Sequence, residues 1–211
     1  MLQRSVPLKE SFMPTTNSAS HQPRFAVTLI AIHWATALLI VAVVVLAWEF
    51  PRGPAKDGSI LLLLHRSIGL TILALTAARL IVRASVPAPA QPDAASWLEN
   101  LVARATHLLL YVILVTMPIS GFLWTTSRDK PVSVFGLFDI PPLLPPSETL
   151  HSIARNFHSL GQYAVYVVVG LHVSAALFHL VVRRDDVMAR MLPGARLTPR
   201  PERVEGHPAV R

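Results

Sequence analysis

The chain contains no cysteine. That excludes disulfides, cysteine-ligated iron–sulfur clusters and covalently attached c-type haem, which needs a C-x-x-C-H element. Any metal site must therefore use histidine, methionine, carboxylate or backbone ligands. Charge is also scarce: 15% of residues are Asp, Glu, Lys or Arg, against about 25% in soluble globular proteins. Acidic residues are missing from the interiors of the long apolar stretches, with Glu49 at the very end of one. A proton pump built on buried carboxylates is disfavoured on that ground.

What fills the chain instead is apolar: 52% of residues are hydrophobic and the mean hydropathy is +0.48. Four stretches, Phe25–Phe50, Ile60–Val82, Leu101–Thr126 and Ile153–Val182, each reach the ~20 residues that cross a bilayer. Lipid offers no partner to backbone N–H and C=O groups, so each span is expected to be helical. The connections favour an all-α, up-down four-helix membrane bundle. The first span is longer than the apolar core of a signal peptide and is read as retained. The expected division is a polar tail over 1–24, a four-helix unit over 25–185 and a basic tail over 186–211.

Pro118, with Gly121 after it, predicts a kink in the third helix. The second connection, ASVPAPAQPDAAS, reads as an extended proline-rich linker. The third, with Phe135-Gly136 and the run PPLLPP, carries enough apolar side chains to fold back over the outer mouth. Beyond Val182 a short interfacial helix is expected to end near Pro193-Gly194, with an unstructured tail after it.

The net charge of +7 is explained by topology. Thirteen of the nineteen Lys and Arg fall on one side: Arg4, Lys9 and Arg24, then Arg79, Arg83 and Arg104, then seven from Arg183 onward. This positive-inside bias puts both termini in the cytoplasm. No nucleic-acid partner is expected; the partner is the lipid bilayer. On the outer side Arg52, Lys56, Arg66, Arg128, Lys130 and Arg155 are nearly balanced by Glu49, Asp57, Asp129, Asp139 and Glu148.

Among the nine histidines, several lie inside apolar segments. Intramembrane ionisable residues are costly and are functional suspects, and a neutral imidazole is a good ligand for haem iron. His158 and His172 share the fourth span. Fourteen residues of helix cover about 21 Å and return to within about 40° of the starting face. One helix thus aims two rings the same way at two depths. His33 lies ~12 Å and His172 ~15 Å from the cytoplasmic ends of their spans, while His65 and His158 lie ~8 Å inside the outer ends. The depths pair His33 with His172 and His65 with His158, as two bis-histidine stations. With both axial positions filled by protein, such iron suits electron transfer. Taken singly, each histidine has the alternative of a carbonyl hydrogen bond or a proton path.

His107 and His179 match one another near the cytoplasmic face. Both are given supporting roles, toward haem propionates or a quinone head group. His151 is expected at the outer rim, and His21 and His207 in solvated tails. Met117 is read as packing. Arg79 either snorkels to the bilayer boundary or pairs with a haem propionate, and Arg83 is read as snorkelling.

The segments IHWATALLIVAVVVLAWEF, LHRSIGLTILALTAARLIVR, HLLLYVILVTMPISGFLW and HSLGQYAVYVVVGLHVSAALFHLVVRRDDVMARMLPG together resemble the bacterial cytochrome b561 family, from about Arg24 to Gly194. The resemblance implies a four-helix inner-membrane protein with two haem b groups. It implies His33 and His172 as ligands of one iron, and His65 and His158 of the other. His107 opens the HLLLY element and matches a recurring family position.

One branch of the family carries electrons from superoxide outside to ubiquinone. The WEF end of the first helix and the Phe135-Gly136-Leu137 element are similar to that branch. The His-poor end of the fourth helix and the proline-rich third loop depart from it. The expected function is single-electron transfer between an outer donor, superoxide foremost, and ubiquinone. The alternatives are an electron-transfer anchor for a partner dehydrogenase or hydrogenase, and a haem-free transporter with a histidine proton relay.

Overall fold

The computed structural model describes residues 25–49, 59–86 and 96–195. The expectations for the tails before 25 and after 195, and for most of the first two connections, lie outside the described residues. His21 and His207 are among them.

Four long helices account for most of the described chain: α1 (Val27–Trp48), α2 (Ile60–Ser85), α3 (Trp97–Thr126) and α4 (Glu148–Phe178). All four are long and apolar enough to cross a membrane. α3 begins four residues before the apolar run, because Ser96 and Glu99 form a capping box that satisfies two otherwise unpaired backbone donors. Ser147 likewise starts α4 early by accepting from the Leu150 N–H at 3.2 Å. Ser59 caps α2 in the same way, accepting from Leu62 at 3.2 Å. α3 runs through Pro118 as one element.

The packing inverts that of a soluble bundle. The buried positions on the helices include small hydroxyl residues, Thr36, Ser67, Thr76 and Ser120. Leu38, Val41, Ile81, Leu108, Val167 and Leu171 face outward. Small residues let helices approach closely where lipid removes the hydrophobic drive to associate. Their hydroxyls donate within their own helices, Thr36 to the Ile32 carbonyl and Thr76 to that of Ile72, both at 2.7 Å. The closest helix approaches are α3 with α4, α1 with α2, and then α2 with α3; α4 has no comparably close backbone approach to α1 or α2.

The third connection does fold back, as an antiparallel hairpin of β1 (Val132–Val134) and β2 (Phe138–Ile140), in the register Val132↔Ile140 and Val134↔Phe138. Phe135 (φ 52°) and Gly136 (φ 71°) turn the chain with positive φ at both centres, as a type I′ turn requires. Such a φ is strained for Phe, and its N–H donates to Ser67 Oγ at 2.8 Å, which fixes the turn against α2.

The segment after α4 differs from the expected α-helix. It is a π-helical turn (His179–Arg183), then Arg184 in the left-handed region, then a 3-10 turn (Ala189–Met191). Asp185 is the reason: its carboxylate pairs with His179 Nδ1 at 2.7 Å and accepts from the Val187 N–H at 3.1 Å, which diverts the chain. The diverted segment lies against the N-terminal part of α1, where Trp34 Nε1 donates to the Met191 carbonyl at 2.6 Å.

Candidate functional site: two histidine stations

The outer station joins α2 and α4. The His65 and His158 ring centres are 6.0 Å apart with planes 78° from parallel. His65 Nδ1 is 3.3 Å from the Val43 carbonyl, and His158 Nδ1 is 2.9 Å from that of Met117. A carbonyl only accepts, so both rings carry their proton on Nδ1, which makes Nε2 the basic nitrogen of each. This carbonyl support is the arrangement that orients metal-binding imidazoles and raises their basicity. Gly121 of α3 makes the space: a Cβ there would stand 2.9 Å from His158 Cε1. Across from it, a Cβ at Gly69, one turn beyond His65, would meet nothing within 4 Å.

The inner station joins α1 and α4. His33 and His172 ring centres are 6.1 Å apart, at 75°. His107 of α3 brings a third ring within 5.5 Å of His172, and its own N–H is held by the Ala103 carbonyl. Arg79 of α2 points inward rather than toward the bilayer boundary. Its Nη1 is 3.0 Å from His33 Nδ1, and its Cζ lies 5.9 Å from the Tyr111 ring centre. A guanidinium has only donors, so His33 Nδ1 accepts in this arrangement. Offering Nε2 to a metal requires the other tautomer, and hence a turn of Arg79 away from the ring.

The separations fit a specific kind of group. An imidazole nitrogen binds a metal at about 2 Å and the ring centre lies about 1.1 Å behind it, so two rings on opposite faces of one metal have centres about 6.2 Å apart. Both pairs meet that distance. Among the described residues no group of three or more His, Asp or Glu is arranged to hold a bare metal ion. Two axial imidazoles suit a metal whose equatorial ligands come with it, as in a porphyrin.

The remaining histidines fall elsewhere. His179 is engaged by Asp185. His151 lies in the first turn of α4, at the end of the bundle as expected, and is buried there, with Nδ1 3.0 Å from the Trp124 carbonyl and 3.3 Å from Ser127 Oγ. The early start of α4 puts it in the first turn, under the end of α3. Trp124 lies between the two rings of that face, 6.5 Å from His151 and 6.0 Å from His158. The proximity of His107 to His172 and the shielding of His151 were both missed by counting depth alone, and Ser127 carries no sequence signal for its part.

Fold and site together define a multi-pass membrane protein with paired intramembrane histidines, the class of the membrane-embedded b-type cytochromes. Residues 24–194 match the prokaryotic cytochrome b561 family, and the chain belongs to it. It is 33% identical over 171 residues to cytochrome b561 homolog 2 of Escherichia coli (strain K12), covering 80% of this chain and 91% of that one. It is 29% identical over 174 residues to cytochrome b561 homolog 1 of the same strain, covering 81% and 97%. The probable superoxide oxidase CybB of Yersinia pestis is 28% identical over 177 residues, covering 82% and 98%. Membership makes haem b the cofactor class and electron transfer in a bacterial membrane the general function.

Proposed function

We propose that this chain is a di-haem cytochrome of the bacterial inner membrane that passes single electrons from superoxide at the outer face to ubiquinone. His33 and His172 would hold an inner haem, and His65 and His158 an outer one. His107 and Arg79 line the inner site. The observation that carries this is the pair of ring separations, 6.1 and 6.0 Å, on two levels of one helix. The likeness to a probable superoxide oxidase supports the choice of donor. The unit over 25–185 holds the cofactors, and the tails 1–24 and 186–211 face the cytoplasm.

Haem, when bound, supplies the one-electron couple that the side chains lack. The protein's part is to hold and orient. The Val43 and Met117 carbonyls fix the outer tautomers. Ser120 Oγ, 3.1 Å from His158 Nδ1, keeps that ring from turning. At the inner site Arg79 would release His33 and hold a propionate, a carboxylate that a guanidinium can grip with two donors. The overall chemistry balances as two superoxide anions each losing one electron to leave as O2, while one quinone takes two electrons and two protons to become the quinol.

Stopped-flow mixing of the purified protein with superoxide tests this. The b-type bands are expected to become reduced rapidly, then reoxidised by added ubiquinone. Inertness toward superoxide, with turnover restored only by a co-purifying redox subunit, would favour the anchor role.

A further inference from the structure

We infer that Arg79 sets the direction of electron flow, by holding the inner station at a higher reduction potential than the outer one. The inference rests on the two haem sites proposed for this chain. The stations are built from the same ligands but differ in what surrounds them. At the outer one, the ring N–H groups of His65 and His158 donate to neutral backbone carbonyls at 3.3 and 2.9 Å. That pulls the ring proton, strengthens the imidazole as an electron donor and favours the oxidised metal. Among the described residues no comparable pair of carbonyl acceptors meets His33 and His172. In its place a full positive charge stands 3.0 Å from His33 Nδ1.

A cation inside a low-dielectric bundle acts strongly on a charge a few ångströms away, and it stabilises the form carrying the added electron. Arg79 is near enough to act on all three inner rings, His33, His107 and His172. Among the described residues Arg66 also acts on His65 of the outer pair, but as the least of the influences on that ring, whereas Arg79 ranks directly after burial at both His33 and His172. Arg83 lies over the Phe25 ring, at the cytoplasmic end. Ligation through His33 Nε2 turns the guanidinium off Nδ1, but it remains beside the inner pair, and deleting it removes one positive charge there. An electron arriving at the outer station then finds the inner one downhill, and flow runs inward.

The test is a spectroelectrochemical titration of the purified, haem-loaded protein, with His33→Ala and His65→Ala used to assign the two components. In the unmodified protein the inner midpoint is expected above the outer. Arg79→Gln is expected to shift the inner oxidised-to-reduced ratio at least tenfold toward oxidised at fixed potential, about 59 mV for one electron, with the outer component unmoved. Arg79→Lys, which keeps the charge, is expected to restore most of the difference. An inner midpoint at or below the outer, or one that Arg79→Gln leaves in place, overturns the inference. If Arg79→Gln loses the inner haem, the order of the two midpoints in the unmodified protein decides. A wild-type preparation without b-type bands would refute the haem sites themselves, a separate failure.

Discussion

Each station depends on single side chains that do not substitute for one another. His158 and His172 belong to different pairs, so His158→Ala and His172→Ala are each expected to halve the haem content, from two per chain to one, by pyridine haemochrome assay. Retention of both haems in both variants would refute the pairing. The double variant is expected to bind none. His107 gives a sharper residue-level check, because its ring is closer to His172 than that of His33 is. As a lining residue, His107→Ala should leave two haems bound and perturb only the inner component's spectrum. Loss of the inner haem in His107→Ala, with retention in His33→Ala, would exchange their roles.

The helices act through where they do and do not touch. α3 and α4 pack closely, and Gly121 is the contact that lets His158 stand between them. Gly121→Ala puts a methyl 2.9 Å from His158 Cε1, well inside van der Waals contact. The expected result is displacement of the ring and loss of outer haem, with the inner haem retained; two haems with unshifted bands would contradict it. The hairpin depends on Ser67, which is fully buried and accepts the Phe135 N–H while donating to the Leu63 carbonyl at 2.8 Å. Ser67→Ala leaves the Phe135 donor without its partner, at a cost of about 1–3 kcal/mol. Faster proteolysis of the 132–140 loop, at unchanged haem content, is the expected readout.

Across the whole molecule, what was legible in the sequence is what periodicity and depth encode. The four spans follow from composition, because lipid admits apolar helices and little else. The fourteen-residue spacing of His158 and His172 fixes both face and height on a single helix, and depth supplies each with a partner. Azimuth around the bundle is not written in the same way. Counting residues could match His107 to His179 in height, but not see that His107 turns to His172 while Asp185 engages His179. Caps moved the ends of α3 and α4, and the burial of His151 in the first turn of α4 could not be counted from depth. Arg79 was legible as a boundary residue or an anion partner; its approach to His33 needed three dimensions. The central claim, two histidine-clamped haems in one four-helix chain, is tested most directly by the haem b content of the purified wild-type protein. Two haems per chain, with b-type reduced-minus-oxidised bands, is the predicted result. A folded, colourless protein, or one haem per chain, would contradict it.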